Sequence, residues 1–187
     1  MSDLISDASE DPSRYKPRKE IFPLTAEKEV ELRKAFIQEA LTWVGTPYRQ
    51  LGATKGVAVD CSMLLVRASI DSGIMEEWDP RPYPPLWFLH RDDERYLKWI
   101  EMFAKPTEQF RAGDIVAIRF GRAFAHSGIL VDSEHLVHAF AHDNICIVSP
   151  LNHSVLLYAD RTGNTLRPRK YFDVFARMRE LGPGGVV

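Results

Sequence analysis

The chain has 187 residues, of which 45% are hydrophobic, 11% aromatic and 27% charged. That length and mix suit one globular domain whose core needs neither a disulfide framework nor a metal to hold it. A formal net charge of −2, from 24 Lys and Arg against 26 Asp and Glu, argues against a protein that coats nucleic acid or an anionic membrane.

The N-terminus, Met1-Ser2-Asp3-Leu4-Ile5-Ser6-Asp7, has neither the basic start nor the apolar run of a secretory leader. No stretch approaches the ~18 apolar residues of a membrane span. The expectation is a protein made in the cytoplasm that stays there or leaves by another route. Residues 1–24 are polar and read as an arm, or a docking segment, ahead of a single domain over 25–187. Thr25 is a suitable N-cap, and Leu32, Phe36, Ile37, Ala40, Leu41 and Val44 follow at helical spacing up to Gly45. Residues 46–59 read as loop. A second helix starts near Asp60 and Cys61 and ends by Gly73, with Leu64, Leu65 and Ala68 facing the core. Four prolines and two tryptophans make 78–89 an irregular packed loop, and a third helix is predicted over 92–103. From Asp114 the pattern changes to short strands, at 114–120, 126–132, 135–140, 144–149 and 173–179. Helices first and strands afterwards predict an α+β fold with an antiparallel sheet.

Two cysteines are too few for a disulfide scaffold. Cys146 lies in the apolar strand Asn144-Ile145-Cys146-Ile147-Val148 and reads as core packing. Cys61 sits where a loop becomes a helix, and there unpaired N–H groups and the macrodipole favour a thiolate. A small buried hydrophobe is the other reading of that position; the polar flanks Asp60 and Ser62 weigh against it. A thiolate nucleophile needs a base, and the base an orienting partner. Strand parity selects His126 and His138 among the six histidines. A hairpin with a three-residue loop at 131–133 sets them directly opposite, a five-residue loop sets them diagonally on one face, and an even-numbered loop separates them. His135 has the opposite parity, while His90, His142 and His153 fall in turns or loops. No metal is expected: alternation separates His135 from His138, and the chain has no His-Glu-x-x-His helix or Cys-x-x-Cys pair. No cofactor is expected either.

The ordered set Gly45-Thr46-Pro47-Tyr48, Asp60-Cys61-Ser62, Ala112-Gly113-Asp114-Ile115-Val116, His126-Ser127-Gly128-Ile129-Leu130-Val131 and Leu136-Val137-His138-Ala139 resembles the NlpC-type cell-wall cysteine peptidases, a papain-like family. The resemblance spans about residues 35–178. It implies a papain-like fold, with a helical lobe packed on a five- to six-stranded antiparallel sheet. It also implies Cys61 as nucleophile, His126 as general base and acid, and His138 as the group that orients His126. Tyr48 would line the site and help the N–H of Cys61 hold the oxyanion, while Asp60 and Ser62 would grip the free amine of a short peptide stem. The substrate implied is the peptidoglycan stem peptide, typically at the bond between D-Glu and a diamino acid. Arg49-Gln50, Lys55-Gly56-Val57 and the stretch from Tyr83-Pro84-Pro85 to Arg95-Tyr96-Leu97 resemble the peptidases encoded with phage tails and gene-transfer particles. Tail or particle proteins are therefore the partners expected. Two departures stand out: Met63 where most relatives have Gly, which puts a larger side chain beside the nucleophile, and Gln50-Leu51-Gly52 in place of paired glycines. Two rival readings use the same residues: a structural or docking module of a tail tip or secretion assembly, and acyl transfer or amide hydrolysis on a non-wall substrate.

Overall fold

The computed structural model describes residues 15–83, 94–160 and 163–181. Thr25 opens helix α1 (Ala26–Leu41), its hydroxyl accepting the N–H of Lys28 at 3.2 Å. Phe36 and Ala40 are buried on the core side, but Val44, expected on the same face, is 45% exposed. The helix has ended at Leu41, so the helical phase no longer sets where Val44 points; the turn closes at Gly45, with φ +88°. Within 46–59 the chain forms a small hairpin, β1 (Ala53–Thr54) with β2 (Ala58–Val59). Helix α2 (Cys61–Asp71) follows at once and buries Met63, Leu64, Leu65, Val66 and Ala68. Helix α3 covers Arg95–Glu101. It is shorter than expected; residues 92 and 93 lie outside the described residues.

The remaining strands are β3 (Lys105–Thr107), β4 (Ile115–Phe120), β5 (Ala123–Leu130), β6 (His135–Phe140), β7 (Ile145–Pro150), β8 (Leu157–Asp160), β9 (Gly163–Leu166) and β10 (Arg169–Asp173). Six of them form one sheet in the order β3-β10-β4-β5-β6-β7, every neighbouring pair antiparallel, and β8 pairs with β9 alone. The fold is α+β, as expected. Alternation gives the sheet two buried faces. Ile115, Ala117, Ile129, Val137, Ala139 and Cys146 join the helices in the main core, while Val116, Ile118, Leu130 and Leu136 pack with Leu156 on the other side.

One expectation needs correction. The strand expected over 173–179 is a helix, α4 (Val174–Leu181), preceded by strand β10. Ala176 and Met178 alternating with Arg177 and Arg179 imitate a strand, yet Val174, Phe175 and Met178 are the buried set, at helical spacing. Asp173 starts that helix by accepting the N–H of Phe175 at 2.9 Å. Residues 15–24, the described part of the expected arm, pack against the rest of the chain. Tyr15 stacks on Phe103 with ring centroids 4.3 Å apart, Ile21 is buried, and Arg18 donates to the carbonyls of Met75 and Ile70. The described part of the arm is thus seated on the core. Of the loop lengths the sequence leaves open for β5–β6, the register is that of the five-residue alternative rather than the three-residue loop at 131–133. Leu130 pairs with Leu136, leaving residues 131–135 between them. Asp132 widens the turn by accepting the N–H groups of both Glu134 and His135 at 2.7 Å.

Arg33 ties α1 to the sheet. Its guanidinium pairs with Glu29 at 2.9 Å, with Asp114 at 2.7 Å, and with Asp173. Arg179 and Arg111 reach the same carboxylates from outside. Gly113, with φ +83°, passes close over Arg33: a Cβ there would lie 3.4 Å from the arginine's Cβ.

Candidate active site

Helix α2 begins where it does because Asp60 caps it. One carboxylate oxygen accepts the N–H of Met63 at 2.8 Å, and the other accepts the N–H of Leu51 at 2.7 Å. Tyr83 donates its hydroxyl to the same carboxylate, 2.8 and 2.7 Å from its two oxygens. Leu51 takes φ +61° to present that N–H, in the segment where paired glycines were expected. The side chain of Met63 is buried in the main core, against which Cys61 also packs. The larger residue is therefore absorbed by packing.

Cys61 is the first residue of the helix and half-buried. Tyr96 points its hydroxyl at the sulfur from 3.9 Å and shares a 2.6 Å hydrogen bond with the hydroxyl of Ser127. The surroundings of Cys61 oppose the expected thiolate. Burial pushes the Cys61 thiol up to about 12, and the charge of Asp60 adds to it. Hydrogen bonds from Tyr96, the backbone N–H of Ser127 and Ser62 act the other way without overcoming burial. The helix needed a cap, and the cap is an anion, which cancels the positive helix end that was expected to ionise the thiol.

Ser127 leads to the histidines. Its neighbour on β5, His126, leaves the strand on the opposite face, where its ring lies 4.5 Å from that of Phe140 and 5.7 Å from that of Phe120. Nε2 of His126 is 2.8 Å from Nδ1 of His138. The register makes the two diagonal neighbours: His138 sits across from Gly128, where a Cβ would lie only 3.1 Å from the Cβ of His138 and 2.8 Å from the carbonyl oxygen of Val137. Glycine at 128 therefore makes room for the pair. Nε2 of His138 is 2.8 Å from the hydroxyl of Ser149 on β7. His126, His138 and Ser149 are all buried. Burial, with the neighbouring His138, holds His126 well below the usual imidazole range; burial also holds His138 down to about 4, partly opposed by the charge of Asp143. Both rings are neutral at neutral pH.

The structure thus joins two groups of side chains: Cys61 with Tyr96 and Ser127, and His126 with His138 and Ser149. They meet at consecutive residues of β5. The thiol makes no hydrogen bond to the His126 ring; the nitrogen left to the ring is Nδ1. Tyr48 forms a parallel bridge with Val59 and sits beside the cap and the thiol; burial, then the charges of Cys61 and Asp60, push its hydroxyl up. Ser62 is half-buried next to the thiol.

Tyr96, Ser127, Tyr83 and Ser149 were not singled out from sequence. Tyr96 reads as one apolar position of α3, and Ser149 as an ordinary strand residue; only pairing across elements reveals their contacts. Among the other histidines, His135 pairs with Asp132 at 3.0 Å and His142 with Asp143 at 3.3 Å, both near the surface. His90 lies outside the described residues. Among the described residues no group of three His, Cys, Asp or Glu side chains is arranged to hold a metal ion. Cys146 is fully buried, opposite Ala139, and both cysteines are free thiols. No helix of the described residues is long and apolar enough to cross a membrane.

The family model for the NlpC/P60 family matches residues 45–162. None of the curated proteins matches the sequence. Among solved structures, a Staphylococcus aureus protein described as similar to a lipoprotein of the NLP/P60 family superposes with a TM-score of 0.50 at 17% identity. That match covers 77% of this chain but 41% of the other, so the chain spans less than half of that protein's length. The peptidoglycan hydrolase RipB from Mycobacterium tuberculosis gives 0.49 at 15% identity, covering 89% of this chain and 81% of its own. RipD from the same organism, described as a non-catalytic NlpC/p60 domain protein adapted to peptidoglycan binding, gives 0.45 at 15% identity, covering 76% and 97%.

Proposed function

The chain belongs to the NlpC/P60 family, and on that premise we propose that it is a thiol peptidase hydrolysing the peptide stems of peptidoglycan, typically at the bond between D-Glu and a diamino acid. The observation that supports this reading best is the meeting at β5: the N–H of Ser127 faces the thiol while the adjacent His126 is held from behind by His138. Nδ1 of His126 takes the proton of Cys61 as the sulfur attacks the stem carbonyl. The oxyanion forms beside Tyr48 and the backbone N–H of Cys61, which at the first helical position has no intrahelical acceptor. The C–N bond breaks, the amine leaves with the proton from His126, and a thioester remains on Cys61. Water gives a proton to the same Nδ1, attacks the thioester, and releases the acid and the free thiol. Asp60 supplies negative charge, and Ser62 a hydroxyl, for the free amine of the stem.

The neutral thiol shapes this mechanism. With the thiol pushed up to about 12 and the imidazole held low, a preformed ion pair is disfavoured in the free enzyme. Proton transfer therefore accompanies attack. The same observation supports a second reading, a stem-binding module without turnover. Digestion of purified wall decides between them: release of stem fragments by the full chain and none by Cys61→Ala supports catalysis, and binding without release by either supports the module. We further propose delivery by a tail-like particle, on the resemblance of residues 49–57 and 83–97. Absence of the chain from purified particles overturns that part alone.

A further inference from the structure

His138 has two ring nitrogens, and both are engaged: Nδ1 with Nε2 of His126 at 2.8 Å, and Nε2 with the hydroxyl of Ser149 at 2.8 Å. A neutral imidazole carries one N–H and one lone pair, so the chain of contacts has two possible polarities. In the first, Nε2–H of His126 donates to Nδ1 of His138, and Nε2–H of His138 donates to Ser149. This leaves the Nδ1 lone pair of His126 free to accept the thiol proton. In the second, Ser149 donates to His138, Nδ1–H of His138 donates to His126, and the proton of His126 sits on Nδ1, where it blocks the base.

The protonated intermediate makes the distinction sharper. Once His126 has taken the thiol proton it is an N–H donor at both nitrogens, so Nδ1 of His138 must be an acceptor at that moment. Its single proton must then be on Nε2, facing Ser149. In the second polarity two N–H groups would point at each other across 2.8 Å. His138 is 0% exposed, so bulk solvent does not reach its Nε2. A buried N–H left without an acceptor is destabilised enough to reverse a tautomer preference.

Resting on the reading of His126 as the base, we propose that Ser149 is a positioning residue: its hydroxyl, by offering His138 Nε2–H a buried acceptor, makes available to both imidazoles the polarity that leaves His126 able to take a proton. The residue that orients the base is thus itself oriented, from the next strand. Ser149 lies two places beyond Ile147, the register partner of His138, and on the same face of the sheet, so the contact is a diagonal of β6–β7 pairing. The hydroxyl touches no reacting atom.

The test is tautomer state, read from imidazole nitrogen shifts of the nitrogen-15-labelled full chain at neutral pH. The wild-type spectrum is expected to show the proton on Nε2 of both His126 and His138. A wild-type His138 protonated on Nδ1 overturns the proposal, whatever any variant does. Ser149→Ala is expected to move the His138 proton to Nδ1, and Ser149→Thr, which keeps the hydroxyl, to restore the wild-type pattern. Unchanged tautomers in folded Ser149→Ala also overturn it. Against a stem peptide, Ser149→Ala is expected to lower kcat about 10- to 100-fold with KM unchanged, and Ser149→Thr to recover most of it. A loss confined to KM contradicts a positioning role. If no stem peptide is cleaved by the wild type, the peptidase reading fails, while the spectrum still decides the tautomers.

Discussion

The molecule buries two polar clusters, and they are built on opposite principles. Around Arg33 the groups are charged and densely paired, with Glu29, Asp114 and Asp173 on one guanidinium and Arg111 and Arg179 closing the rim. Around His126 the groups are titratable but neutral, linked by hydrogen bonds through His138 to Ser149, with the thiol held at the adjoining residue of the same strand, Ser127. Full charges with every partner in place define one geometry and hold α1, the start of β4 and α4 together. Neutral groups whose protons can shift define a geometry too, but they leave a base and a nucleophile that substrate can activate. The first cluster is expected to carry stability, the second chemistry.

That contrast breaks most visibly by deleting one member of each. Cys61→Ala is expected to lower stem hydrolysis at least about 10³-fold, as loss of a covalent nucleophile does, with the unfolding midpoint little changed; a chromatographic assay beside a thermal melt reads both. Arg33→Met is expected to destabilise by about 3–5 kcal/mol, because it leaves buried carboxylates without their cation. Urea unfolding measures that loss. Near-wild-type stability in Arg33→Met would show that the knot does not hold the fold.

Acid separates the clusters by pH. Folded His138 holds its proton less tightly than the unfolded side chain, at about 4 against an ordinary value near 6.5, and His126 is shifted the same way. The unfolded state therefore binds more protons in that interval, and stability falls as pH drops from about 6.5 to 4, by roughly 3 kcal/mol for His138. Burial raises Asp173, but Arg33 and Arg179 outweigh it and hold the carboxyl below its usual range; Glu29 behaves alike. Those carboxylates contribute stability above their unfolded values and lose it only at lower pH. Denaturant midpoints from pH 7 to 3 are expected to fall in two stages, and His138→Gln to flatten the upper one.

A smaller effect concerns the thiol. Tyr96 lowers the pKa of Cys61 through its hydroxyl, so Tyr96→Phe is expected to slow alkylation of Cys61 several-fold at pH 8–9. Unchanged or faster labelling would mean that the hydroxyl does not stabilise the thiolate.

Much of this contrast was legible in the sequence on one side and little on the other. Cys61, His126 and His138 stand in short ordered motifs, and a strand period of two puts both histidines on one face whether the loop has three or five residues. Arg33 looks like a solvated helix residue because its partners Asp114 and Asp173 lie 81 and 140 positions away. Ser149 and Tyr96 were hidden for the same reason: each acts through a neighbouring element. Position at a helix start does not convey the state of the thiol, because the charge of the Asp60 cap acts on it as well. The helix Val174–Leu181 is hard to read from sequence because four alternating residues mask a helical set that includes Phe175.

The claim that most needs testing is that Cys61 attacks an amide with His126 as its base. A defined stem peptide incubated with the full chain, with Cys61→Ala and with His126→Ala, and followed by mass spectrometry of peptide and intact protein, tests it directly. The account requires cleavage at one amide by the wild type, an acyl adduct on Cys61 when the reaction is quenched early, and neither in the two variants. No cleavage by the wild type, or cleavage that survives Cys61→Ala, contradicts it.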